Sequence, residues 1–120
     1  MDKLTEAIVG CAFKVSNTLG AGFLEKVYEN ALAVELRRAG LTVQQQYPVK
    51  VTYGGTTVGD FAADLLVEES IVVELKAVSG IEPIHRAQCL NYLRAAGLRV
   101  GLVINFGRPK LEVKRVVNGF

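Results

Sequence analysis

The chain has 120 residues, half of them apolar, and a formal net charge of +2. That composition excludes a disordered segment and fits one domain, taken as residues 1–120, with enough chain to bury a core without disulfides. A strongly basic nucleic-acid binder usually carries a larger excess, so the near-balanced charge neither supports nor excludes a nucleic-acid partner. In chain order, Leu4, Ala7, Ile8, Cys11, Ala12, Val15 and Leu19 recur at helical spacing and predict an amphipathic helix over about 2–18. Gly20 and Gly22 break it, and a second helix follows over about 23–39 with Gly40 as its stop. The period then changes to alternation in TVQQQYPVKVTY, a strand over 43–53, and Gly54-Gly55 signals a hairpin into TTVGDFAADLLVEE, with a bulge expected near Gly59. IVVELKAV (71–78) reads as a third strand and Pro83 opens a helix over 83–96 that Gly97 ends. LRVGLVINF and KLEVKRVV complete the order ααβββαββ, an α/β fold with a mixed β-sheet flanked by helices.

Cys11 and Cys89 sit in apolar helical patterns without metal-ligand spacing, so they read as buried free thiols in a reducing compartment. The first fifteen residues carry charges and lack the apolar core of a signal peptide, and no apolar run approaches the roughly 20 residues a membrane span needs. The expectation is a soluble cytoplasmic protein.

Glu74 and Lys76 interrupt the apolar run of the third strand. Side chains alternate across a strand, so both charges share one face with Val72 and Val78, opposite Ile71, Val73, Leu75 and Ala77. One reading is a solvated face with a weak local ion pair. The other is a cleft in which Glu74 holds a metal and Lys76 polarises a water or a phosphate oxygen, since burying both charges without a task is costly. Asp64 lies in the preceding strand, where a hairpin places it beside Glu74. Two carboxylates suit a hard divalent cation such as Mg²⁺. Asp60 is a weaker candidate. Gln88 and Tyr92 at i, i+4 put an amide and a phenol on one helix face, either as an ordinary half-buried surface or as groups that position a phosphate or a lysine. Glu25 and Tyr28 are i, i+3 at the start of the second helix, where a carboxylate also gains from the helix dipole.

Taken together, Asp64, then Glu74-Leu75-Lys76, then Gln88 and Tyr92 resemble the D…ExK…QxxxY pattern of PD-(D/E)XK nucleases, with a closer likeness to their RecB-like branch. The stretch Gly22-Phe23-Leu24-Glu25-Lys26-Val27-Tyr28 is similar to the signature of the small bacterial GxxExxY proteins, which are grouped with that superfamily. The resemblance implies a restriction-endonuclease-like core. It also implies Mg²⁺ (or Mn²⁺) bound by Asp64, Glu74, the Leu75 carbonyl and the helix-borne Glu25, with Lys76 as catalytic lysine and Gln88 and Tyr92 as accessory groups. The implied activity is phosphodiester hydrolysis in DNA or RNA, DNA before RNA. The alternative is a weakly active or inactive nuclease-fold module that binds nucleic acid or serves assembly. The chain departs from the pattern at Ala63, where the motif has proline. Its lone histidine, His85, follows the ExK strand and reads as a helix-surface residue.

Basic residues occur at Arg37-Arg38, His85-Arg86, Arg94, Arg99, Arg108, Lys110 and Lys114-Arg115; most read as solvated surface, while the helix-end pair and the Arg108–Arg115 segment suit a phosphate backbone if folding brings them to a cleft rim. The sequence shows no DNA-reading module and no aromatic stripe for stacking bases, so little sequence specificity is expected. The outer strands leave a homodimer open as a way to hold both strands of a duplex.

Overall fold

The computed structural model describes residues 2–119. Three helices, α1 (Lys3–Leu19), α2 (Glu25–Arg38) and α3 (Pro83–Ala96), enclose a mixed sheet of β1 (Val43–Tyr53), β2 (Thr56–Val67), β3 (Ile71–Lys76), β4 (Val100–Asn105) and β5 (Glu112–Val117). The strands lie in the order β1-β2-β3-β4-β5; only β3 and β4 run parallel, joined by α3 as a crossover. This is the expected ααβββαββ order and a restriction-endonuclease-like α/β fold. No helix among the described residues is long and apolar enough to cross a membrane.

Local chemistry sets the element ends. Asp2 caps α1 by accepting from the Thr5 N–H at 2.7 Å, which is why that helix starts at Lys3. α2 begins at Glu25, two residues later than expected, because the Tyr28 hydroxyl accepts from the Phe23 N–H and donates to the Gly20 carbonyl, holding 20–24 as a turn. Glu82 and His85 form a reciprocal capping box ahead of α3, so the only histidine has a structural task. Gly54 and Gly55, at φ 58° and 83°, supply the two positive-φ positions of a tight hairpin. The expected irregularity near Gly59 is present: Val51 pairs Gly59 but Thr52 pairs Thr57, leaving Val58 as the extra residue.

The sheet divides two cores. Ile8, Ala12 and Val15 of α1 and Tyr28, Leu32 and Leu36 of α2 pack with Leu65, Val73, Leu75 and Ile104 on one face. Cys89 and Leu93 of α3 pack with Val49, Ala63, Val72 and Val103 on the other. Alternation along β3 therefore sends Leu75 toward α1 and α2, and turns Glu74 and Lys76 toward α3. β3 ends at Lys76, two residues early, because Asn105 takes over as a peptide mimic. Its amide accepts from the Val78 and Gly107 N–H groups, donates to the Val78 carbonyl at 2.9 Å, and reaches Glu112 at 3.1 Å. Glu112 in turn accepts from the Ile81 N–H. This brace fixes the path of 77–82 from the charged strand to α3.

Candidate active site

The β1–β2 hairpin has one break that shapes the site. Pairing runs from Val43↔Val67 to Val51↔Gly59, but Gln46 and Asp64 are left out of it. Gln46 has φ 54°, a left-handed conformation that costs a non-glycine residue of order 1 kcal/mol or more. The consequence is a change of layer. Val43, Leu65 and Val67 pack on the α1–α2 side, whereas Tyr47, Val49 and Ala63 pack on the α3 side, although strict alternation would keep all of them together. The same break lets the successive residues Gln45 and Gln46 both donate to Glu29 of α2, each at 2.8 Å.

At the break, side chains replace backbone rungs. Asp64 Oδ2 accepts from the Leu75 N–H at 2.8 Å, and Glu74 Oε1 accepts from the Asp64 N–H at 3.4 Å. The two carboxyls are thus held as neighbours. Glu74 is only 5% exposed. Burial first, and then the Asp64 charge, push its carboxyl up to about 9; Lys76 opposes this weakly. Lys76 is half-buried, on the same strand face, and forms no ion pair among the described residues. Leu75 buries its side chain in the α1–α2 core and keeps its backbone at the acids.

Gln88 and Tyr92 face each other on α3, with the Gln88 amide 3.4 Å from the Tyr92 hydroxyl. Tyr92 is partly buried, and desolvation followed by the charge of Glu74 raises its phenol above the ordinary value. Cys89, one turn before it, is pushed up to about 12 by burial, so it stays a neutral thiol.

Glu25 is placed differently from its partner in the sequence motif. It is exposed in the first turn of α2, and its side chain makes no hydrogen bond or ion pair among the described residues. Tyr28 is fully buried and stacks on Phe106 at 4.7 Å. The acid that α2 does bring toward the pair is Glu29, which is 3% exposed, bridged to Lys26 at 3.0 Å, and linked to Asp64 through Gln46, whose amide is 3.4 Å from Asp64 Oδ1. A signal for Glu29 was available: it falls on the stripe Glu29, Leu32, Ala33, Leu36 that α2 turns to the core. Asp60 is exposed. Among the described residues, no group of three or more His, Cys, Asp or Glu side chains is arranged to hold a metal ion. The donors brought together are the Asp64 and Glu74 carboxylates. Their hard oxygens suit a Mg²⁺-type cation, which commonly takes one or two carboxylates plus water and phosphate, and such a cation would relieve the like-charge conflict that burial creates at Glu74.

A mixed five-stranded sheet that holds a half-buried Asp64 against a buried Glu74, with a lysine on the same strand face as Glu74, defines the fold as restriction-endonuclease-like. The chain belongs to the PD-(D/E)XK nuclease superfamily, whose pattern it matches over residues 2–116. The fold is shared with solved structures. SSO0001 superposes with a TM-score of 0.61 at 16% identity, over 80% of this chain and 51% of that one. An alkaline exonuclease (LHK-Exo) from Laribacter hongkongensis superposes with a TM-score of 0.57 at 13% identity, over 99% of this chain and 73% of that one. This chain thus spans about half the length of SSO0001. No curated protein matches it.

Proposed function

We propose that residues 1–120 act as one nuclease domain that hydrolyses phosphodiester bonds of DNA or RNA in a reaction dependent on Mg²⁺ or Mn²⁺. The observation that carries this reading is the Asp64–Glu74 pair, a half-buried carboxyl on β2 held against a buried one on β3, on the β3 face that also bears Lys76. Asp64, Glu74 and the Leu75 carbonyl are the donors we assign to the cation. When bound, a divalent cation supplies Lewis-acid chemistry, drawing charge from a phosphate oxygen and acidifying water. Lys76 holds an ammonium on the same face, where it stabilises charge that develops on the phosphate. Tyr92, a neutral phenol whose pKa burial and the charge of Glu74 raise further, donates a hydrogen bond, and Gln88 orients it. Glu29 acts through Gln46, fixing the backbone at the hairpin break and with it the Asp64 carboxylate. The narrower likeness to the GxxExxY proteins rests on residues 22–28. There Tyr28 pins the α1–α2 turn, and Glu25 is the member left at the surface.

The test uses circular, linear and single-stranded substrates, the linear one prompted by the exonuclease among the structural neighbours. Cleavage should require Mg²⁺ or Mn²⁺, stop with chelator, and fall by about 100-fold or more in Lys76→Ala. Cleavage that survives in Lys76→Ala counts against the proposal. A second reading, a nuclease-fold binding module with little turnover, is favoured by the absence of a third metal-holding side chain among the described residues. Metal-dependent stabilisation without cleavage would support that reading. For duplex substrates the proposal includes a two-fold dimer, which light scattering tests.

A further inference from the structure

Beside the acid pair, the outer half of the β1–β2 hairpin and α3 enclose a groove of about 600 Å³. A volume of that order suits a ligand the size of a nucleotide. Phe61 on β2 and Tyr92 on α3 form its aromatic wall, with ring centroids 5.9 Å apart and planes 34° apart. Phe61 is 49% exposed, so a large part of its surface is spent on neither core. Gln88 and Asn91 add amides, and Lys50 and Arg94 stand at the rim. Neither cation forms an ion pair among the described residues, although Asp60 is the cross-strand partner of Lys50. The groove therefore offers a half-exposed aromatic ring, amide donors and positive charge, and none of its lining residues is acidic.

Its position is equally informative. Phe61 lies three residues, about 10 Å, along β2 from Asp64, and Tyr92 belongs both to the groove and to the pair with Gln88. A polynucleotide whose phosphate sits at the acids would run its next bases along this wall. A duplex hides the faces of its bases, whereas an unpaired strand presents them for stacking.

We propose that the groove binds single-stranded nucleic acid, an unpaired base stacking on Phe61 and the neighbouring phosphates lying against Lys50 and Arg94. This deepens the nuclease reading by naming the strand form that enters the site. The test measures binding in chelator, so that no cleavage is needed. Fluorescence anisotropy is followed with the full chain on a labelled short oligo(dT), its abasic counterpart and a blunt duplex. Wild type should bind the single strand at least about tenfold more tightly than the duplex or the abasic strand, and Phe61→Ala should lose about tenfold on the single strand alone. Phe61→Leu keeps the apolar volume without the π-face and should lose affinity similarly, which separates stacking from misfolding. Arg94→Glu should weaken the intact and abasic strands alike. Equal affinity for duplex and single strand, or unchanged affinity in folded Phe61→Leu, overturns the groove. The nuclease reading fails separately: Phe61-dependent binding without metal-dependent cleavage sinks that reading and leaves the groove standing.

Discussion

Replacing Glu74 with glutamine isolates the electrostatic cost of the acid pair. In the folded chain its carboxyl is pushed from an ordinary 4.5 to about 9, by burial and then by Asp64. The sign follows from linkage. Between these two values the folded state keeps a proton that the unfolded state has released, so stability is greatest below the unfolded value and falls as pH rises through the folded one. A displacement of that size is worth about 6 kcal/mol at about 1.4 kcal/mol per pH unit, if the fold does not relax. This is comparable with the whole stability of an ordinary domain, about 5–15 kcal/mol. The window belongs largely to Glu74. The lowered carboxyls of Asp2, Glu68 and Glu112 act below their ordinary values of 3.8 to 4.5, and the raised Cys11, Cys89 and Tyr92 act above ordinary values of 9.0 or 10.0.

The assay is urea unfolding followed by far-ultraviolet circular dichroism in chelator, because the chain has no tryptophan to report by fluorescence. Wild type should lose several kcal/mol of stability from about pH 5 to about pH 9, while Glu74→Gln should be nearly flat. Near pH 5 the two should agree within about 1 kcal/mol, since glutamine keeps an oxygen for the Asp64 N–H. Added Mn²⁺ should stabilise wild type more as pH rises, because the cation needs the ionised form, and should not stabilise the variant. Parallel pH profiles for the two proteins would refute the account of a strained, buried carboxyl.

Three other outcomes follow from the same geometry. Asp64→Asn keeps an acceptor for the Leu75 N–H and should unfold near wild type yet lose the Mn²⁺-dependent rise in Tm, whereas Asp64→Ala should lose both that rise and about 1–3 kcal/mol. Asn105→Ala strips partners from Val78, Gly107 and Glu112 at once, and urea unfolding should show a loss of about 3 kcal/mol or more. A Cβ on Gly101 would stand 2.6 Å from Cys89 Sγ. Gly101→Ala should therefore cost about 1–3 kcal/mol, and Cys89→Ala in the same chain should recover part of it, a coupling that a double-mutant cycle measures.

The elements were legible because their signals are local. Helical periodicity marked α1, Gly20, Gly22 and Gly40 bracketed α2, Gly54-Gly55 marked the hairpin, and Pro83 and Gly97 bracketed α3. The alternation that puts Glu74 and Lys76 on one face of β3 is likewise a property of the strand itself. What the sequence hid depends on contacts between distant segments. Nothing in VQQQY says that Gln46 adopts φ 54°, because the Glu29 carboxylate that receives its amide lies on another element. Glu25 and Glu29 are one helical turn apart, and the motif drew attention to the first although the apolar stripe selects the second. The aromatic wall was equally invisible, since Phe61 and Tyr92 meet only when the hairpin folds over α3.

The hairpin break also explains how a small domain keeps two acids in place. Where β1, β2 and β3 should continue their ladders, one oxygen of each carboxyl is tied to a backbone N–H, Asp64 Oδ2 to Leu75 and Glu74 Oε1 to Asp64. A carboxylate has about four lone-pair sites, so this anchoring consumes only part of its capacity. The backbone donors are satisfied and the side chains are fixed, while the remaining oxygens can still accept a cation or a proton. Functional carboxylates are most effective when held by the scaffold before a ligand arrives, because no reorganisation is then charged to binding. The left-handed Gln46 and the raised pKa of Glu74 are the costs of that arrangement, and both lie within one patch where β1, β2 and β3 meet. In this arrangement the strain is local, the two cores on either side remain apolar, and a cation at the pair would remove its larger component.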